Sequence, residues 1–216
     1  METHFLHVRK TGGSAVHTAL EPISAEYNIK LWGHQKYLPD VPSGDKIVFG
    51  IRHPVTRFAS GFNSRLRKGQ PKNSIEWTED ERFAFAHFGT PDDLARSLSS
   101  ADGSHKAMAQ KAMGCINHVR HRYADWFVSS AYLESREQDI LMILHQPDLN
   151  DDFNVLKARL SLPESATLPV DPILAHRNPD GISSYLSPGA IANLSEWYAA
   201  DIDLYEACMK IRSRIL

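Results

Sequence analysis

The segment Lys46-Ile47-Val48-Phe49-Gly50-Ile51 constrains the fold more than any other. It is a nearly continuous apolar run without the alternation of a strand that keeps one wet face. It therefore predicts a strand buried on both faces of a parallel sheet and covered by helices. Its carboxyl end runs into Arg52. Pro54 suits the first turn of the next helix, where Phe58, Phe62 and Leu66 recur every fourth residue. The amino terminus has the same strand-to-helix form. His4 to Val8 is a short apolar run, Lys10-Thr11-Gly12-Gly13 supplies turn chemistry, and Ser14 to Leu20 reads as a helix with Ser14 as cap and Pro22 as stop. Tyr27 to Trp32 alternates like a second strand. Ile140 to Leu144 looks like another buried one, followed by a helix over Asp151 to Leu160 capped by Asn150 or Asp151.

The stretch from Gly69 to Arg136 is harder to place. Helical patterns occur near Asp80–Phe88, Asp92–Ser100 and Lys106–Tyr123, with Thr90 and Asp93 forming a capping box for the second. Ser187-Pro188 is a strong helix start, and the pattern runs to a break near Asp201. No repeat of 20 to 50 residues and no Pro- or Gly/Ser-rich linker divides the chain, so residues 1–216 are expected to form a single domain. The predicted class is α/β, a three-layer α/β/α arrangement around a central, mainly parallel sheet. In such folds ligands bind outside the carboxyl ends of the strands.

Charge narrows the function. Lys and Arg total 24 against 26 Asp and Glu, a net charge of −2, so there is no general cationic field to hold nucleic acid or an anionic membrane, and any polyanion site is local. The longest aliphatic run, Ile140 to Leu144, is far short of the roughly 20 residues a spanning helix needs. Met1 leads directly into a strand rather than a signal peptide, and a cytoplasmic location is expected. Cys115 and Cys208 are too few for a disulfide framework, which fits a reducing compartment. The spacing of Cys115, His118 and His121 is read as structural rather than zinc-binding.

Two segments carry chemistry, and both fall at strand ends. In Arg9-Lys10-Thr11-Gly12-Gly13-Ser14-Ala15, two glycines let the backbone approach an anion. The helix start offers unpaired N–H groups, and Thr11 and Ser14 add hydroxyls. This describes a phosphate cradle, although Lys10 precedes both glycines, unlike the lysine of a Walker A loop. In Arg52-His53-Pro54-Val55-Thr56-Arg57-Phe58-Ala59-Ser60 a guanidinium stands at a strand end and a hydroxyl lies two helical turns on. Two anion sites on neighbouring strand ends suit a ligand phosphorylated at both ends.

The sequence here resembles the sulfotransferases that use 3′-phosphoadenosine 5′-phosphosulfate. Lys10-Thr11-Gly12-Gly13-Ser14 is similar to their 5′-phosphosulfate loop, and Arg52 with Ser60 to their 3′-phosphate motif. Gly33-His34 resembles the Gly-His of the carbohydrate 2-O-sulfotransferase branch, in which the histidine is the proposed base. A looser likeness runs from Asp151-Asp152-Phe153 through His176-Arg177-Asn178 to Asp203-Leu204-Tyr205.

The resemblance implies a P-loop nucleotide-kinase-like fold and transfer of a sulfuryl group from that donor to a hydroxyl or amine of a small-molecule or carbohydrate acceptor, with no metal. Lys10 stabilises the leaving 5′-phosphate as charge develops on it, and His34 accepts the acceptor's proton. Arg57 and Arg177 are further expected contacts to the 3′-phosphate, while Glu26 and His17 are rival bases. The second motif reads Arg-His-Pro where the family commonly has Arg-Asp-Pro, which removes an acid beside an anion site. Two alternatives are kept: an ATP-dependent small-molecule kinase of similar architecture, and a non-catalytic adenosine 3′,5′-bisphosphate-binding protein. Retention of both Lys10 and His34 favours the enzyme.

Overall fold

In a computed structural model the four expected strands pair into a parallel sheet. The structure describes the whole chain except residues 172, 175–178 and 180. In chain order the elements are β1 (Thr3–Leu6), α1 (Gly13–Leu20), β2 (Ile29–Leu31), β3 (Lys46–Ile51), α2 (Pro54–Leu66), α3 (Glu79–His87), α4 (Pro91–Ser97) and α5 (Gly103–Cys115). They continue with α6 (Asn117–Arg120), α7 (Tyr123–Phe127), α8 (Ser130–Ser135), β4 (Ile140–His145), α9 (Leu149–Leu160), α10 (Pro188–Trp197) and α11 (Ala199–Ile215).

The expected single domain over 1–216 divides into two compact units. One consists of Met1–Arg52, Arg122–Arg177 and Asp203–Leu216, the other of His53–His121 and Asn178–Ile202. The first holds the sheet, in the order β2-β1-β3-β4 with every pair parallel. Alternate residues of β1, β3 and β4 enter two apolar clusters, as the pleat requires. Leu6, Phe49, Ile51 and Ile143 pack with Tyr123, Trp126 and Phe127 of α7 and with Leu204, Ala207 and Ile211 of α11. Phe5, Val48, Met142 and Leu144 pack with Val16 and Leu20 of α1 and with Phe153 and Leu156 of α9. Helices thus cover both faces, which is the three-layer arrangement and the reason β3 reads as an unbroken apolar run.

The second unit is helical. Val55, Phe58, Ala59 and Phe62 of α2 share a core with Leu94 of α4, Ala109 and Met113 of α5 and Leu194 of α10. Arg65 and Glu81 form a buried pair inside it, with N–O distances of 2.7 Å to both carboxylate oxygens.

Several boundaries differ from expectation for local reasons. β1 stops at Leu6 because the Val8 N–H folds back to the Leu6 carbonyl at 3.1 Å and starts the loop. Asn28 has φ 52°, so β2 begins after it. α1 starts at Gly13 with Gly12 at its cap, not Ser14, which lies in the first turn. The helix read over Lys106–Tyr123 breaks at Ile116, which is extended (φ −65°, ψ 117°) and fully buried, giving α5, α6 and α7. α9 follows Asp148 rather than Asn150 or Asp151, and the late break falls at Tyr198 rather than near Asp201. Thr90 does cap α4, its hydroxyl accepting from the Asp93 N–H at 3.1 Å.

Candidate functional site

The sheet order makes the gap between β1 and β3 a topological switch point. From β1 the chain proceeds through α1, on one face, to β2. From β3 it reaches β4 after α7 and α8, which lie in the first unit on the other face. Outside the carboxyl ends of two such strands no crossover helix fills the space, and ligands of open α/β sheets bind there. The glycine loop leaves β1 at this point, and Arg52 leaves β3. The two strands are in register through Leu6 opposite Phe49.

The loop is shaped by two left-handed residues, Lys10 at φ 64° and Gly12 at φ 89°. Glycine adopts that conformation without strain. A lysine there costs energy, and such residues gather where a loop must present a fixed surface. Gly12 caps α1, its carbonyl accepting from the N–H groups of Ala15 at 3.1 Å and Val16 at 3.4 Å. Among the described residues no acid lies in the first turn of α1 and no side chain caps it. A helix start of this kind has the electrostatics that suit an anion.

Gly13 is demanded by packing, since a Cβ there meets His7 Cδ2 at 2.4 Å. Ala15 is buried behind the loop. Arg9, Lys10 and Ser14 are half-buried. Thr11 departs from expectation. It is fully buried, and its hydroxyl donates to the Val8 carbonyl at 2.9 Å, so it braces the loop instead of offering that proton to an anion.

His34 follows β2, the neighbour of β1. Its Nδ1 lies 2.8 Å from the His7 carbonyl, and its ring centroid lies 4.1 Å from that of His7. A carbonyl only accepts, so Nδ1 carries a proton, and whenever the ring is neutral its lone pair is at Nε2. That is the nitrogen a general base uses. Of the rival bases, Glu26 is exposed and precedes β2, while His17 sits on α1 with its ring 6.2 Å from His7.

Arg52 is half-buried, and loss of water around its guanidinium holds its pKa below the usual arginine value. Its backbone is held by the Tyr123 hydroxyl, which accepts from the Arg52 N–H at 2.9 Å and donates to the Arg52 carbonyl. Sequence reading passed over Tyr123, because one aromatic in a helical pattern gives no sign of so distant a partner.

Arg57 and Ser60 lie in the helical unit, both buried. Arg57, expected as a phosphate contact, is 2% exposed and donates through Nη2 to the His121 carbonyl at 2.7 Å and to Asp201 at 3.4 Å, a buried ion pair. Arg177 lies outside the described residues, as do His176 and Asn178.

Two further clusters bear on chemistry. At the carboxyl end of β4, His145 Nδ1 donates to Asp148 at 2.8 Å and Nε2 accepts from the Tyr205 hydroxyl at 3.0 Å, while the His145 N–H donates to Asp152 at 2.6 Å. Burial pushes the Tyr205 phenol up, the opposite of an activated nucleophile, and the network reads as structural. At the amino ends of β1 and β3, Glu2, His4 and Asp45 bring ligand-type atoms within 4.8 Å of one another. Here His4 Nδ1 accepts from the Trp32 indole N–H at 3.0 Å, so its proton sits on Nε2, facing Asp45 at 3.2 Å. A cation on Nε2 forces that proton onto Nδ1, against the indole N–H, so the residues do not suit a metal. Cys115 is likewise no ligand candidate: burial raises its thiol to about 11, and its Sγ lies 3.4 Å from the Asp80 carbonyl.

No helix among the described residues is long and apolar enough to cross a membrane. Comparisons with protein-family models, with curated proteins and with solved structures gave no match to this chain.

Proposed function

We propose that this chain is a sulfotransferase of P-loop nucleotide-kinase-like fold that moves a sulfuryl group from 3′-phosphoadenosine 5′-phosphosulfate to a hydroxyl or amine acceptor. One observation carries the reading: the glycine loop, Arg52 and His34 follow the carboxyl ends of three adjacent parallel strands, β1, β3 and β2, with the loop and Arg52 on either side of the switch point.

The loop backbone and the start of α1 receive the 5′-phosphate, and Arg52 receives the 3′-phosphate. In the reaction the acceptor oxygen forms a bond to sulfur while the bond from sulfur to the bridging oxygen breaks. The electron pair stays with the 5′-phosphate, and the acceptor's proton passes to His34 Nε2. The products are a sulfate ester and adenosine 3′,5′-bisphosphate. Lys10 stabilises the charge on the bridging oxygen, which exists in full only as the bond breaks, so it lowers the barrier more than it strengthens donor binding. The loop backbone holds the phosphate in line, and proximity supplies much of the remaining rate.

Labelled sulfate transfer from the donor to panels of sugars, phenols, lipids and amines tests the proposal. Transfer that disappears in Lys10→Ala supports it. Hydrolysis of ATP or phosphoryl transfer to the same acceptors, with no sulfate transfer, supports the kinase alternative instead.

A further inference from the structure

The Arg52 residue leaves the sheet at the point where its backbone loses ladder partners. β3 ends at Ile51, which is opposite His145, the last residue of β4, and β1 has already ended at Leu6. Both main-chain polar groups of Arg52 are instead engaged by one side-chain oxygen. The Tyr123 hydroxyl accepts from its N–H at 2.9 Å and donates to its carbonyl.

Tyr123 is itself immobilised. It is 0% exposed, packs among Phe49, Trp126 and Phe127, and opens α7, whose start is fixed by the Arg122 N–H donating to the Asp125 carboxylate at 3.0 Å. A buried aromatic anchored on a helix thus fixes the φ and ψ of the residue that bears the guanidinium. An arginine that holds a phosphate through a two-pronged fork requires its Cα to be placed within a fraction of an ångström. The cation is already partly stripped of water, so a dianion arriving there regains what burial took away.

We propose that Tyr123 is the positioning residue for Arg52, and that its hydroxyl sets the preference for a nucleoside carrying a 3′-phosphate over one phosphorylated at the 5′ position alone. The inference rests on the sulfotransferase reading above and adds to it a specificity-determining group from α7. Tyr123 does not touch the nucleotide in this scheme; it acts through the Arg52 backbone. Tyr123→Phe retains the ring and its packing and removes both hydrogen bonds. Loss of both bonds frees the main chain of the residue that carries the guanidinium.

The test is calorimetric titration of wild type, Tyr123→Phe and Arg52→Ala with adenosine 3′,5′-bisphosphate and with AMP, alongside melting curves. In wild type the bisphosphate binds more tightly. Tyr123→Phe loses about tenfold on the bisphosphate and little on AMP, while Arg52→Ala abolishes the preference. If wild type shows the preference and Tyr123→Phe keeps it, or weakens both ligands by the same factor, the positioning role is overturned and the function proposal stands. If wild type shows no preference, the 3′-phosphate reading fails and this inference with it. Should Tyr123→Phe lose its cooperative melt, amide exchange in the wild type decides. A protected Arg52 N–H that gains protection with bisphosphate supports the clamp, and a freely exchanging one overturns it.

Discussion

Replacing Gly50 by alanine probes the seating of the glycine loop more sharply than altering the loop itself. Gly50 lies in β3, opposite Leu144 of β4, and the loop from β1 crosses directly over it. A Cβ at Gly50 meets Thr11 Oγ1 at 2.8 Å, the Thr11 carbonyl oxygen at 3.0 Å and Thr11 Cβ at 3.3 Å. The hydroxyl cannot swing aside without breaking its buried bond to the Val8 carbonyl, and the carbonyl is main chain. Relief therefore requires the loop to retreat by about 0.6 Å, from 2.8 Å at the hydroxyl to ordinary contact at 3.4 Å. Overpacking of this kind costs roughly 1–3 kcal/mol, offset by about 0.5–1 kcal/mol because alanine loses less backbone freedom than glycine in a strand. The net is about 1.5 kcal/mol, roughly 3–6 °C in melting temperature for a chain of this size. Differential scanning calorimetry reads the shift. Gly114→Ala, exposed in α5 with open space at its Cβ, is the control and gains about 0.8 kcal/mol. Thr11→Ala added to Gly50→Ala should recover about 1 kcal/mol relative to the sum of the single changes. A Gly50→Ala protein that melts at or above the wild-type temperature refutes the argument that the loop is fixed by its contact with β3.

How much of this was legible in the sequence follows from the range of the forces involved. Local chemistry was readable: the apolar run of β3 matches its observed bounds, Pro54 opens α2, and Ser187 caps α10, its hydroxyl accepting from the Ala190 N–H at 3.4 Å. The division into two units was not. The chain passes between them four times, at Arg52–His53, His121–Arg122, Arg177–Asn178 and Ile202–Asp203, with no Pro- or Gly/Ser-rich linker in the sequence to mark the points. The difficult middle of the sequence is mostly the helical unit, whose short helices satisfy a core of their own. Within the site, the glycine loop and Arg52 stood out because residue type alone suggests anion binding. Thr11 was misread because its hydroxyl has a partner only once Val8 turns back, and Tyr123 was missed because its partner lies 71 residues away.

Other predictions follow from single features. His34→Ala should lower kcat by about 100-fold or more while leaving affinity for adenosine 3′,5′-bisphosphate nearly unchanged, and a fully active variant moves the base elsewhere. Val128, 53% exposed, sits at φ 66°, ψ −66° in a three-residue turn closed by the Ser129 N–H on the Phe127 carbonyl at 2.7 Å, a conformation that a β-branched residue resists. Val128→Gly should therefore stabilise by about 1 kcal/mol despite glycine's entropy, and a lower melting temperature contradicts that strain. Burial alone raises the Glu81 carboxyl, but hydrogen bonds from Arg65 and from the Asn117 and Thr78 N–H groups outweigh it and hold it below its ordinary value of 4.5. Its contribution is thus present above that value and lost as pH falls through the depressed one. Glu81→Gln should cost about 3 kcal/mol at pH 7 and flatten the acid limb of stability against pH below about 4.5, measured by urea denaturation. An unchanged acid limb in that variant assigns the transition to another carboxylate.

The most direct test of the central claim is the melting temperature of the purified protein with adenosine 3′,5′-bisphosphate, AMP or ATP at equal concentrations, without metal. At 100 times its Kd a ligand of the folded state contributes about 2.7 kcal/mol, roughly 5–10 °C here. The account predicts a shift of that size for the bisphosphate and only a small one for AMP and ATP. Equal shifts from all three, or none from the bisphosphate at millimolar concentration, contradict it.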